Sequence, residues 1–215
     1  MKSPLPPPKE ARAILEIAAF RDPPYLLFSI GLFFAFTGLY FPFFYISVYG
    51  SRILGLRSES SFYLVPILNG ASAFGRIIPG LIADRTGSLN LFIPCAFASA
   101  ILVFAWQAIA NPASITVFAL LNGFFSGAVL SLPPTIIARL SPDLDHVGTR
   151  MGMSFAFSGF GLLIGNPIAG AIMDRGPRER FSGAETFSAA MITVGSGLFL
   201  AVRLLMSRSK GSWKW

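Results

Sequence analysis

Six apolar runs, each close to the ~20 residues that a helix needs to cross a bilayer, leave a chain like this very few folds. They fall at about 25–48, 62–83, 89–110, 114–138, 148–173 and 186–206. Inside lipid every backbone N–H and C=O must be satisfied by the protein itself, which leaves helices or a closed barrel. A barrel needs sustained alternation of apolar and polar residues, and none of the runs shows it. The expectation is an all-α membrane protein with six transmembrane helices. Composition agrees: 13% of the 215 residues are charged, against about 25% in ordinary globular chains, and Phe alone occurs 22 times. A soluble domain of this length could not bury so much apolar surface.

Every run contains Gly, Pro or both. Membrane helices tolerate them because neighbouring helices re-satisfy the freed backbone groups. Small residues recur four apart, as in Ala71 with Gly75, Gly123 with Gly127 and Gly161 with Gly165. Such pairs let helix backbones approach closely where lipid supplies no hydrophobic drive. The spans define a membrane domain over 25–206, preceded by a Pro-rich basic leader (1–24) and followed by a basic tail (207–215). Within the leader, 11–20 carries Arg12 and Glu16 at helical spacing and reads as a short interfacial helix. The first apolar stretch comes too late and runs too long for a signal-peptide core, so no secretory leader is expected.

The net charge is +7, but no basic patch is interleaved with a soluble fold, so nucleic acid is not an expected partner. The basic residues flank apolar runs instead, which suits a lipid bilayer with anionic headgroups. Even spans put both termini on one side. Lys2, Lys9, Arg12, Arg21, Arg76, Arg85, Arg139, Arg150, Arg203, Arg208, Lys210 and Lys214 lie on or nearest that side, twelve in all. Arg52, Arg57, Arg175, Arg178 and Arg180, five in all, lie on the other. Twelve against five predicts cytoplasmic termini, with the three arginines at 175, 178 and 180 as the discordant cluster. Cys95 stands alone and excludes an intrachain disulfide.

Chemistry narrows further at Gly75-Arg-Ile-Ile-Pro-Gly80-Leu-Ile-Ala-Asp84-Arg85-Thr-Gly87. The stretch leaves one apolar run through an Asp-Arg pair, and the next run starts at Leu89, so a tight hairpin at the water boundary is predicted. It resembles the Gly-x-x-x-Asp-Arg-x-Gly loop of the major facilitator superfamily, and its Gly-Arg-x-x-Pro-Gly lead-in resembles the monocarboxylate-transporter-type branch with its fungal permeases. Phe20-Arg-Asp-Pro-Pro-Tyr25 and Gly38 to Tyr45 look like the seventh helix of that family. Gly123 to Gly127 is similar to the tenth, and Gly148 to Gly152 through Gly165 to Gly170 to the eleventh. The match is to the C-terminal six-helix half, and the N-terminal six helices are absent.

The resemblance implies secondary active transport of a small organic solute, a monocarboxylate or related metabolite, along a path between two six-helix halves. It implies a partner as well, either an N-terminal half or a second copy of this chain, in the plasma membrane. The alternative is a truncated, non-transporting fragment or partner-binding half. By resemblance Arg76 occupies the position of the substrate-binding arginine in helix eight. On physical grounds a planar guanidinium inside a bilayer suits a carboxylate, or else tethers helices. Asn166, Tyr40 and Asn69 are further candidates to line the path, with helix–helix packing as the plainer reading. The resemblance also makes Gly75, Gly80, Asp84, Arg85 and Gly87 a conformational latch, with Arg150 in the span opening at Gly148 as the cation facing Asp84. Better-known members carry an acid four residues before the arginine; Ser72 stands here, so that span has no proton-relay carboxylate. No cofactor, metal site or enzymatic activity is expected. His146 has no second histidine beside it, and no nucleophile elbow or phosphate-binding glycine loop occurs outside the spans.

Overall fold

Proline and glycine decide where the six runs become helices. In the computed structural model, which describes residues 16–173 and 178–210, the runs form eight α-helices. These are α1 (Pro23–Leu39), α2 (Phe41–Arg52), α3 (Ser58–Thr86), α4 (Ser88–Ala105), α5 (Pro112–Ser131), α6 (Pro133–Leu140), α7 (Leu144–Met173) and α8 (Arg178–Lys210). Six helical stretches are long and apolar enough to cross a membrane, so the all-helical, six-span expectation holds. No strand occurs among the described residues. The leader lies largely outside them. The predicted interfacial helix over 11–20 is described only at its end, which is a 3₁₀ turn, Ile17–Arg21.

Two spans are broken where the sequence predicts single helices. The first divides at Tyr40 between α1 and α2, and the fourth divides at Leu132 between α5 and α6. Pro42 sits in the first turn of α2, and Pro133 and Pro134 open α6. Each lacks the N–H that would meet a carbonyl one turn earlier, so the ladder is cut there. Pro66, Pro79, Pro94 and Pro167 are absorbed without a break inside α3, α4 and α7.

The predicted loop between the second and third spans contracts to one residue. Helix α3 runs through Asp84 and Arg85 to Thr86, and α4 begins at Ser88. Gly87 alone turns the chain, at φ 94°, a backbone conformation that side-chain-bearing residues rarely adopt. At the other end of α4, a 3₁₀ turn (Trp106–Ala108) leads to Asn111, whose side chain caps α5 by accepting the Ser114 N–H at 2.8 Å. The last span also starts earlier than predicted. Helix α8 opens eight residues before Thr186, and Glu185 within it is buried.

Packing is reciprocal. Helix α3 packs most extensively on α5, whereas α7 packs on α1 and α8 closes against both α1 and α4. The close approaches predicted from the small-residue pairs are present. A Cβ on Gly75 would overlap the Phe124 carbonyl, and one on Gly127 the Ser72 carbonyl. Gly161 and Gly165 of α7 sit against the carbonyls of Phe33 and Thr37 in α1 in the same way. One core, around Phe28, Phe92 and Phe199, joins α1, α4 and α8. A second, around Phe41, Tyr49, Trp106 and Phe181, closes the opposite end. Helices α3 and α7 leave the largest share of their surfaces uncovered.

Candidate functional site

The uncovered face of α3 carries two of the four predicted substrate contacts. Asn69 and Arg76 are both exposed and lie seven residues apart, so they share one helix face about 10 Å from each other. Arg76 has no ion-pair or hydrogen-bond partner among the described residues. Asn69 donates its side-chain amide to the Val65 carbonyl one turn back, at 2.9 Å. Tyr40, half-buried at the break of the first span, lies within electrostatic reach of Arg76. Its ring packs against Phe36 and Phe43.

Asn166 belongs to a different contact. It stands on α7, which continues straight through Pro167. Its backbone carbonyl accepts the Tyr45 hydroxyl at 3.3 Å, and its side-chain amide donates to the Leu162 carbonyl at 3.4 Å. Its Oδ1 is buried without a partner among the described residues. Tyr45 also fills the space over Gly170, so α2 and α7 meet here through a tyrosine and a glycine.

The predicted latch resolves into two separate places. Asp84 and Arg85 are exposed on the last turn of α3, and no described residue pairs with either. Gly75 is a packing residue against α5, Gly80 faces open space, and Gly87 makes the turn. Arg150, predicted to face Asp84, is committed elsewhere. It is 3% exposed. Its Nε and Nη2 donate to both carboxylate oxygens of Glu16 at 3.0 Å, and its Nη1 donates to Asp22 at 2.9 Å and to the Leu140 carbonyl at 3.2 Å. Its guanidinium carbon stands 5.0 Å over the Tyr25 ring centroid. The correction has a physical reason: two carboxylates from the chain leading into α1 reach the head of α7 first and satisfy the guanidinium fork.

Below this clamp a ladder of hydroxyls follows the α1–α7 contact. The Tyr25 hydroxyl donates to the Arg150 carbonyl at 2.9 Å and accepts from Ser154 at 3.0 Å, while Ser29 and Ser154 lie 2.7 Å apart. Arg150's hydrogen bonds hold the Glu16 carboxyl below its ordinary range, and burial opposes them. Among the described residues no cluster of three His, Cys, Asp or Glu could hold a metal. Glu16 and Asp22 were missed as site residues. The available signal was that, with Glu10, they are the only acids before α1.

With this geometry established, comparison with known proteins decides the family. A family model described as Major Facilitator Superfamily matches residues 80–214. The chain belongs to the major facilitator superfamily. It is 42% identical over 183 residues to an MFS-type transporter of Emericella nidulans, covering 85% of this chain and 41% of the relative. It is also 35% identical over 205 residues to the aspyridones efflux protein of the same organism, covering 95% of this chain and 41% of the relative. The agnestins efflux protein of Paecilomyces divaricatus is 35% identical over 189 residues, 88% of this chain and 42% of the relative. The chain thus spans less than half the length of these relatives. As a multi-pass integral membrane protein of this superfamily, it is no member of an enzyme family.

Proposed function

We propose that this chain is the C-terminal six-helix half of a secondary active exporter of small organic metabolites. The observation that carries this reading is the pair of broken spans, the first and the fourth, in corresponding positions of two three-helix units. In transporters built from repeats, interrupted helices of this kind flank the substrate path. Two relatives whose names state a cargo are efflux proteins, which favours export. The narrower expectation of a monocarboxylate rested on Arg76. On the present reading the cargo is a metabolite with an acidic group, of which a monocarboxylate is the simplest case, and Arg76 holds that group. Arg76 supports this by standing exposed on α3 without a described partner. Asn69 lines the same face, and Asn166 lines the path where α2 meets α7. The membrane is proposed to be the plasma membrane, with cytoplasmic termini set by the Lys/Arg asymmetry.

A second six-helix half must close the path. Asp84 and Arg85 are proposed as the latch toward that half, since no described residue of this chain engages them. The domain limits 1–24, 25–206 and 207–215 remain part of this proposal. The test is reassembly with the N-terminal half of the Emericella nidulans aspyridones efflux relative, followed by export measurements on acidic metabolites. Arg76→Gln should abolish export at unchanged surface expression. Normal export by the variant would make the arginine structural, and saturable transport by the 215-residue chain alone would remove the need for a second half.

A further inference from the structure

Helix α4 closes the first three-helix unit and α5 opens the second, and the chain reverses between them through the turn Trp106–Ala108. Their register is set where Trp106 meets Phe118, with ring centroids 4.8 Å apart. Asn122 stands one turn beyond Phe118 on the same face of α5, and Ser99 stands two turns before Trp106 along α4. At 1.5 Å per residue, Asn122 is about 6 Å and Ser99 about 10 Å from the level of that ring pair. The two antiparallel helices therefore carry them to within a turn of each other. Both side chains are fully buried. The Nδ2 and Oδ1 of Asn122 and the hydroxyl of Ser99 have no hydrogen-bond partner among the described residues. Each buried polar group left unmet costs about 1–3 kcal/mol, and folded proteins leave very few of them so.

We propose that Asn122 and Ser99 hold a buried water between α4 and α5, so that solvent bridges the joint between the two units. The chemistry of the pair selects the occupant. Asn122 offers two N–H donors and a carbonyl oxygen, and Ser99 offers a hydroxyl that donates and accepts. A metal cation would take the oxygens but leave both amide N–H groups unmet. Water both donates and accepts, and buried waters make about three hydrogen bonds to groups of this kind. It accepts from the Asn122 amide and donates to the Ser99 Oγ. The site needs neither a transported cargo nor a second half.

A double-mutant cycle on the 215-residue chain in detergent tests this. Ser99→Ala and Asn122→Leu each remove one end of the bridge and strand the other, so each should lower the melting temperature by about 3 °C. The double variant strands nothing and should return close to wild type, because two groups that share one water are coupled. Losses that simply add in the double variant would show two unconnected groups and overturn the proposal. A rise in melting temperature for Asn122→Leu would do the same, since it marks a dry amide. The second readout is infrared. Subtracting the Asn122→Leu spectrum from that of wild type should leave an O–H stretching band that shifts when heavy-oxygen water replaces ordinary water. Ser99→Ala, the mildest of the changes, should lose the same band. A difference spectrum without that band overturns the proposal.

Discussion

Glycine closes both the α3–α5 seam and the α1–α7 seam, yet only the second is crossed by hydrogen bonds. Between α3 and α5 the contacts run from Gly75, Gly123 and Gly127 to facing backbone, and no hydrogen bond among the described residues joins the two helices. Between α1 and α7 the same backbone approach at Gly161 and Gly165 is accompanied by Tyr25, Ser29 and Ser154, and is topped by Arg150 with its two carboxylates. A dry seam depends on shape and van der Waals contact, which any added atom disrupts. A polar seam spreads its stability over several modest bonds and one charged clamp. The first should therefore fail abruptly on substitution, and the second by degrees.

The largest effect is expected from Gly75→Ala. Its new methyl would meet the Phe124 carbonyl, and backbone cannot rotate aside as a side chain can. Overpacking of this kind costs up to about 3 kcal/mol, so the detergent-solubilised chain should lose much of its thermal stability. A melting temperature equal to wild type would show that the α3–α5 seam is looser than drawn.

Next comes Arg150→Gln, which removes a guanidinium that makes charged hydrogen bonds to two acids. A loss of about 2 kcal/mol is expected, because charge-assisted bonds exceed neutral ones. The local readout is a nitroxide at Ile17→Cys, a position 77% exposed, in a chain whose native Cys95 is buried. The label should be restricted in wild type and mobile in the variant. Acid should act in the same direction. Glu16 titrates below the ordinary carboxylate value of 4.5, so its contribution is complete above that value and is lost only as pH falls through the depressed pKa. Loosening of the label near neutral pH would contradict the clamp.

The smallest effect belongs to Tyr25→Phe, which deletes a hydroxyl that makes two of the ladder's bonds while keeping the ring under Arg150. Interhelical hydrogen bonds in membranes average ~0.6 kcal/mol each, so the melting temperature should fall only slightly. A loss as large as that from Gly75→Ala would erase the distinction between the two seams.

Much of this architecture could be read from residue order. Span length, the small residues four apart and the tight hairpin between the second and third spans are local signals, and they appear where expected. The breaks at Tyr40 and Leu132 were not legible, because prolines equally prominent at 66, 79, 94 and 167 leave their helices continuous. Whether a proline breaks a helix depends on what its neighbours can re-satisfy, which is a property of packing rather than sequence. Arg150 was read as the cation facing Asp84, but the acids it meets, Glu16 and Asp22, lie 134 and 128 residues away. No spacing rule reaches that far, and Asp84 was the nearer motif. Glu185 escaped because the last apolar run was started one residue after it.

The dry seam also has a mechanical meaning. A joint made of backbone against backbone has no rotamers to shuffle, so it cannot absorb a tilt by rearranging side chains. If α3 swings, α5 must swing with it, and the pair acts as a single plank two helices wide. Arg76 is mounted on that plank, while Tyr40 sits on the break of another span. Their separation is then a gauge of how far the plank has turned, and a distance measured between them reports the state of the whole bundle.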